Sequence, residues 1–176
     1  MIGTVAFPAS FGAESCGEAT EWAIIMSQMV QRAELDDVVS VFGGPRELGP
    51  GVFRSYLDLD RLIHDGLPVS AFRHAIESLE QPEKTVVEGI GISRTTLGRR
   101  KQSGRLGFVD SERAVRLGSV IALGKVALGS ARAAGQWLLK PNSALGGVIP
   151  LKLLQTDVGA RQVEAVLGRA LLGGFS

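Results

Sequence analysis

Apolar residues recur along this chain at helical spacing far more often than they alternate with polar ones. Over residues 20–33, Trp22, Ile25, Met26, Met29 and Val30 fall on one helical face, and Thr20 supplies an N-cap side chain. The run GGPRELGPG at 43–51 consists of turn residues and predicts a linker or loop. Beyond it, LDLDRLIHDGLP predicts a short helix stopped at Gly66, and Ser70 can start another that carries Phe72, Ile76 and Leu79 on one face. Pro82 falls at or just before the first turn of the next helix. Asp110 or Ser111 is expected to cap a helix from about 112 to 128, with Leu117, Val120, Ile121 and Leu128 on its apolar face. Ser130 begins a further helix with Ala131, Ala134, Trp137 and Leu138, which Pro141 prevents from continuing. Pro150 suits the first turn of PLKLLQ. Thr156 caps a last helix through Val163, Val166, Leu167 and Ala170, stopped by Gly173 and Gly174. Strand signals are sparse and no internal repeat is visible, so the pattern predicts an all-α protein.

One segment departs from a plain helical pattern in an informative way. EKTVVEGIGISRTTLGRRKQSG, residues 83–104, splits into two short helices around Gly89 and Gly91, with Ser93 as N-cap of the second. Two short helices joined by a tight glycine turn form a helix-turn-helix, in which Val87, Ile90, Ile92 and Leu97 pack the helices together. Such a second helix lies in a DNA major groove with its first residues at base edges and its arginines on bases or phosphates. The candidate DNA contacts are therefore Ser93, Arg94, Thr95, Thr96, Arg99, Arg100, Lys101 and Arg105, with Arg113 and Arg116 extending the positive region. A solvated basic face would read the same way. Val87 also stands where many such motifs place a small residue, and Arg100 where a buried aliphatic is common.

Charge sharpens this picture. The net charge of +1 over 176 residues hides an asymmetry, since residues 1–92 hold 14 acids against 6 bases and residues 93–116 hold 7 bases against 2 acids. With 45% hydrophobic residues the chain can bury a core, as one domain or two small ones. Cys16 is the only cysteine and lies between Glu14 and Glu18, so neither an internal disulfide nor a cysteine zinc site is available. The N-terminus lacks an export signal, and the apolar run 117–139 is broken by Lys125, Arg132 and several glycines, so a cytoplasmic protein is expected. His64 and His74 lack a ligand pattern, and the GIG at 89–91 follows a helix instead of a strand. No catalytic residue, metal or cofactor is therefore expected, and the chain does not read as an enzyme.

The tail WLLKPNSALGGVIPLKLLQTDVGARQVEAVLGRALLGG, beginning at Trp137, reads as a binding surface. Trp137, Pro141, Asn142, Gly146, Gly147 and Pro150 interrupt the helical pattern where backbone geometry is at stake. Trp137 suits either a core residue that holds the loop or an interface hot spot. Asn142 can bond the backbone of its own turn, and the paired glycines permit positive φ.

These phrases resemble the Xre/MbcA/ParS-type antitoxins that partner RES-domain toxins. GLP at 66–68 looks like the family's entry into its helical domain, ISRTTLGRRKQSGRL at 92–106 is similar to its turn and recognition helix, and SERAVRL at 111–117 to the helix after it. AGQWLLKPNSALGGVIPLKLLQTDVGARQVEAVLGRALLG, from Ala134, resembles the family's C-terminal toxin-binding domain almost from end to end. The resemblance covers about residues 57–176 and leaves the acidic N-terminal region open to covering the basic domain, pairing with a second copy or contacting a toxin. Gly98, Gly118 and Gly124 depart from it mildly, each costing about 1 kcal/mol relative to alanine inside a helix.

The resemblance implies an Xre-like helix-turn-helix domain at 57–129, a small helical toxin-binding domain at 130–176, and an N-terminal extension at 1–56. It implies an antitoxin that neutralises a RES-type, NAD-consuming toxin and represses its own operon, as a homodimer suited to palindromic operator DNA. Toxin contacts are expected at Trp137, Leu138, Lys140, Pro141, Asn142, Leu145, Gly146, Gly147, Val148 and Pro150, with Lys152, Arg161 and Arg169 adding charge. The competing reading is a stand-alone transcriptional regulator whose C-terminal domain dimerises.

Overall fold

A computed structural model describes residues 34–49, 53–93, 95, 97–98 and 104–171. The helix expected over 20–33, Trp22, Cys16 and the terminal Gly173 and Gly174 lie outside the described residues. The chain runs through α1 (34–41), α2 (Pro45–Leu48), α3 (Tyr56–Asp65), α4 (Val69–Ser78), α5 (Glu83–Gly89), α6 (Phe108–Leu128), α7 (Ala131–Leu138), a 3-10 turn (Ser143–Leu145), α8 (Pro150–Leu153) and α9 (Asp157–Leu171). No strand occurs among the described residues, and the all-α expectation holds. Two isolated bridges, Pro68 with Arg105 and Asn142 with Val148, are the β-type pairings.

Local chemistry sets most of the helix ends where the pattern placed them. Gly66 stops α3 at a φ of 89°, and Ser130 Oγ accepts the Ala133 N–H at the start of α7. Pro150 occupies the first turn of α8, and Thr156 Oγ1 accepts the Gly159 N–H at the head of α9. Three expectations are corrected. The 43–51 run is not all loop: Gly43 and Gly44 turn the chain at positive φ, Pro45 starts a helical turn, and burial of Leu48 pins it to the core. Helix α4 begins at Val69 after Pro68, so Ser70 lies inside its first turn. Helix α6 starts at Phe108 after Gly107, and neither Asp110 nor Ser111 caps it. Ser111 is instead fully buried, where its Oγ accepts the Leu67 N–H at 2.8 Å and ties α6 to the corner between α3 and α4.

Helix α6 is the axis of the molecule, and α3, α4, α7 and α9 pack around it. Leu117, Val120 and Ile121 are wholly buried in a core that runs without interruption from Leu35 to Leu167. The glycines within α6 are points of close approach. A methyl on Gly118 would overlap the edge of the Phe42 ring, and one on Gly124 would lie 2.8 Å from the Ala134 Cβ. Their helix-propensity cost is therefore offset by packing that no larger residue permits. No single helix among the described residues is long and apolar enough to cross a membrane, and the axis bends through 110° between α6 and α7.

Two substitutions test this arrangement by urea denaturation. Gly118→Ala is expected to lose about 1–3 kcal/mol by forcing α6 off Phe42. Ser111→Ala is expected to lose about 1–3 kcal/mol because the Leu67 N–H is left buried without an acceptor.

Candidate functional surfaces

The first helix and the turn of the helix-turn-helix form as the spacing predicts. The α5 helix ends at Gly89, Gly91 takes a φ of 77°, and the Ile92 N–H returns to the Val87 carbonyl at 3.0 Å. Val87, Ile90, Ile92 and Leu97 are all buried. The Ser93 carbonyl accepts the Leu97 N–H at 2.9 Å, as the first residue flanking a helix does, and Thr95, Leu97 and Gly98 are helical. Ser93 and Thr95 are exposed, whereas Arg94, Thr96, Arg99, Arg100 and Lys101 lie outside the described residues. The return segment is fixed to the α3–α4 corner, with the Val69 N–H on the Gly104 carbonyl (2.9 Å) and the Leu106 N–H on the Leu67 carbonyl (2.8 Å). Arg105 is exposed and donates from Nη1 to the Gly66 carbonyl at 2.6 Å.

Arg113 and Arg116, expected to extend the positive region, each bond a main-chain carbonyl of the fold. Arg113 Nη1 donates to the Gly91 carbonyl at 2.6 Å. Arg116 has a side chain only 11% exposed, donates to the Leu154 carbonyl at 2.9 Å, and pairs with Glu112 one turn earlier. Gln155 was not singled out by the sequence, yet its Nε2 reaches the Gly89 carbonyl at 2.9 Å. A glutamine just past a short helix carries no local signal that distinguishes it from a solvated one.

The second surface is the loop at 140–148, and Asn142 organises it. Its Oδ1 accepts the Ala144 N–H (2.9 Å), its N–H donates to the Val148 carbonyl (3.1 Å), and its carbonyl accepts from Leu145 (3.0 Å) and Gly147 (2.8 Å). Gly146 and Gly147 then turn the chain at φ of 67° and 79°. Lys140, Pro141, Gly146, Gly147 and Val148 stand exposed, and Trp137 and Asn142 are half-buried. Leu138, Leu145 and Pro150 are buried, which corrects their expected place at the surface. They support the loop from beneath, and Trp137 packs against the same core. Lys152, Arg161 and Arg169 are exposed, with Arg161 paired to Asp157.

An acid-rimmed depression of about 610 Å3 lies on another face, between α1, α6 and α9, with Glu34, Asp37 and Glu164 at its edge and Val38, Ala122 and Val126 among its apolar lining. Burial, then Asp157, raises the Glu164 carboxyl above its ordinary value, against the lowering effects of Arg161 and Arg116. Among the described residues no group of three or more histidine, cysteine or carboxylate side chains could hold a metal ion.

A helix-turn-helix joined to a small helical unit with a rigid exposed loop defines a class of two-part binding proteins. Residues 58–118 match the antitoxin Xre-like helix-turn-helix domain, and residues 122–171 match the antitoxin Xre/MbcA/ParS C-terminal toxin-binding domain. The chain therefore carries, one after the other, the two domains that occur in the Xre/MbcA/ParS-type antitoxins. A relative named Antitoxin Xre, from Pseudomonas putida, is 32% identical over 74 residues, which are 42% of this chain and 46% of the relative. The chain thus spans about half the length of that curated relative.

The raised Glu164 carboxyl gives a testable pH dependence. Its folded form holds its proton more tightly than the unfolded chain, so its contribution to stability is present below the ordinary carboxylate value and is lost as pH rises through the raised one. Glu164→Gln is expected to flatten the fall in stability as pH rises above the ordinary carboxylate value, as measured by urea denaturation at each pH.

Proposed function

We propose that this chain is the antitoxin of a type II pair that neutralises a RES-type, NAD-consuming toxin in the cytoplasm. The observation that carries the reading is the loop at 140–148, whose shape is held from within by Asn142 and which presents Lys140 and Val148 outward. A surface whose backbone is fixed before contact loses little conformational entropy on binding. Its chemistry is recognition: a cationic side chain, a small apolar one and exposed backbone, with the half-buried Trp137 beneath. On this reading the antitoxin works by blocking access to the toxin's active site and contributes no catalytic group of its own.

The helix-turn-helix supplies the second half of the proposal, autorepression of the operon by a homodimer on a palindromic operator. Ser93, Arg94, Thr95, Thr96, Arg99, Arg100, Lys101 and Arg105 are the proposed DNA contacts.

The test co-expresses the chain with the product of the neighbouring gene. Rescue of growth and co-purification are expected, and a toxic neighbour that is neither bound nor neutralised would overturn the reading. Lys140→Glu combined with Val148→Asp is expected to weaken the complex about tenfold or more without lowering the melting temperature, because both side chains are exposed. Arg94→Ala with Arg99→Ala is expected to abolish operator retardation in a gel-shift assay while leaving toxin binding intact. Unchanged retardation would remove the groove assignment.

A further inference from the structure

The turn of the helix-turn-helix is held by the segment that follows the partner-facing loop. Leu151 of α8 is buried directly over Gly89, so closely that a methyl there would overlap its Cδ2. Gln155 donates from Nε2 to the Gly89 carbonyl at 2.9 Å, and its Cγ and Cδ lie 3.4 Å from where a Cβ on Gly91 would stand. Arg113 reaches the Gly91 carbonyl from α6, and Arg116, one turn further on, holds the Leu154 carbonyl. Helix α6 therefore grips both the turn and the end of α8, and Leu151 and Gln155 close the circuit between them.

This arrangement matters because α5 has only seven residues. A helix that short has no orientation of its own in water, and its last carbonyls lack intrahelical partners. The groups that bond the Gly89 and Gly91 carbonyls and cover Gly89 hold the turn from which the chain continues to Ser93. Base-edge hydrogen bonds are lost with small errors in distance and angle, whereas contacts to phosphates tolerate them.

We infer that Gln155 and Leu151, which lie in the toxin-binding unit, are positioning residues for the DNA-reading helix, so that sequence-specific recognition requires the C-terminal unit to be docked against the turn. The inference rests on the DNA-binding half of the proposed function. It assigns these residues to discrimination between DNA sequences, not to attraction for DNA as such.

The experiment uses the full chain with Gln155→Ala, Gln155→Glu and Gln155→Lys. Gln155 is exposed, so folding is expected to survive each change, and the melting temperature checks it. Affinity is measured for a duplex carrying the chain's own upstream region and for a scrambled duplex, at several salt concentrations. Gln155→Ala and Gln155→Glu are expected to lower the ratio of the two affinities about tenfold. The salt slope on scrambled DNA should stay as in the unaltered chain, since no phosphate contact is removed. Gln155→Lys keeps a donor for the Gly89 carbonyl and is expected to retain most of the ratio. Hydrogen exchange at Ile90 and Ile92 is expected to rise in the first two variants and not in the third. A ratio unchanged in both Gln155→Ala and Gln155→Glu would overturn the inference. So would a fall shared equally by both duplexes, which marks a general structural effect. If the unaltered chain does not prefer its own upstream DNA, the DNA-binding reading itself fails and this inference falls with it.

Discussion

Close approach at two glycines governs how the whole chain is assembled. Gly118 lets the Phe42 ring lie against the backbone of α6, and Gly124 does the same for Ala134 of α7. Each contact brings a different part of the chain onto one helix: the first anchors the α1 region, the second the start of the C-terminal unit. Because the Phe42 ring edge and the Ala134 Cβ meet the α6 backbone with no side chain between, these contacts leave little freedom in the separation of the packed elements. The rest of the core, from Leu35 to Leu167, fills around distances already set there. The matched helix-turn-helix segment ends at residue 118 and the matched toxin-binding segment begins at 122, yet α6 crosses that interval without a break.

Much of this was legible in the sequence where the deciding chemistry is local. Ser130 and Thr156 cap their helices, Gly66 ends α3, and Asn142 builds its own turn, because each acts on backbone only a few residues away in sequence. The buried set Val87, Ile90, Ile92 and Leu97 was legible as the apolar positions flanking a glycine turn. What escaped was decided at long range. Ser111 looked like a cap and is an acceptor for Leu67, 44 residues away in sequence. Arg113 and Arg116 looked like part of a basic stripe and are bonded to carbonyls 22 and 38 residues distant. A guanidinium has the same local signature whether it faces solvent or a helix end, so only the assembled fold distinguishes the two.

The candidate surfaces divide along the same line. In the loop at 140–148 the residues that make the shape, Asn142 and the two glycines, were identifiable because their roles are conformational. Those placed beneath it, Leu138, Leu145 and Pro150, were read as part of the surface because an apolar residue near a turn serves core and interface equally well in one dimension. Burial separates the two roles, and burial depends on where α8 and α9 come to rest.

The bracing of that loop has an evolutionary consequence. Its contour is written in main-chain bonds around Asn142, while the side chains of Lys140, Ser143, Ala144 and Val148 project outward. Shape and chemical identity are thereby stored in separate residues. On the proposed reading of this loop as the partner-contacting surface, a lineage is free to change which partner it recognises by altering the projecting positions, while the frame that displays them persists. Mutually exclusive pairs can then arise from one ancestral fold by surface substitution alone.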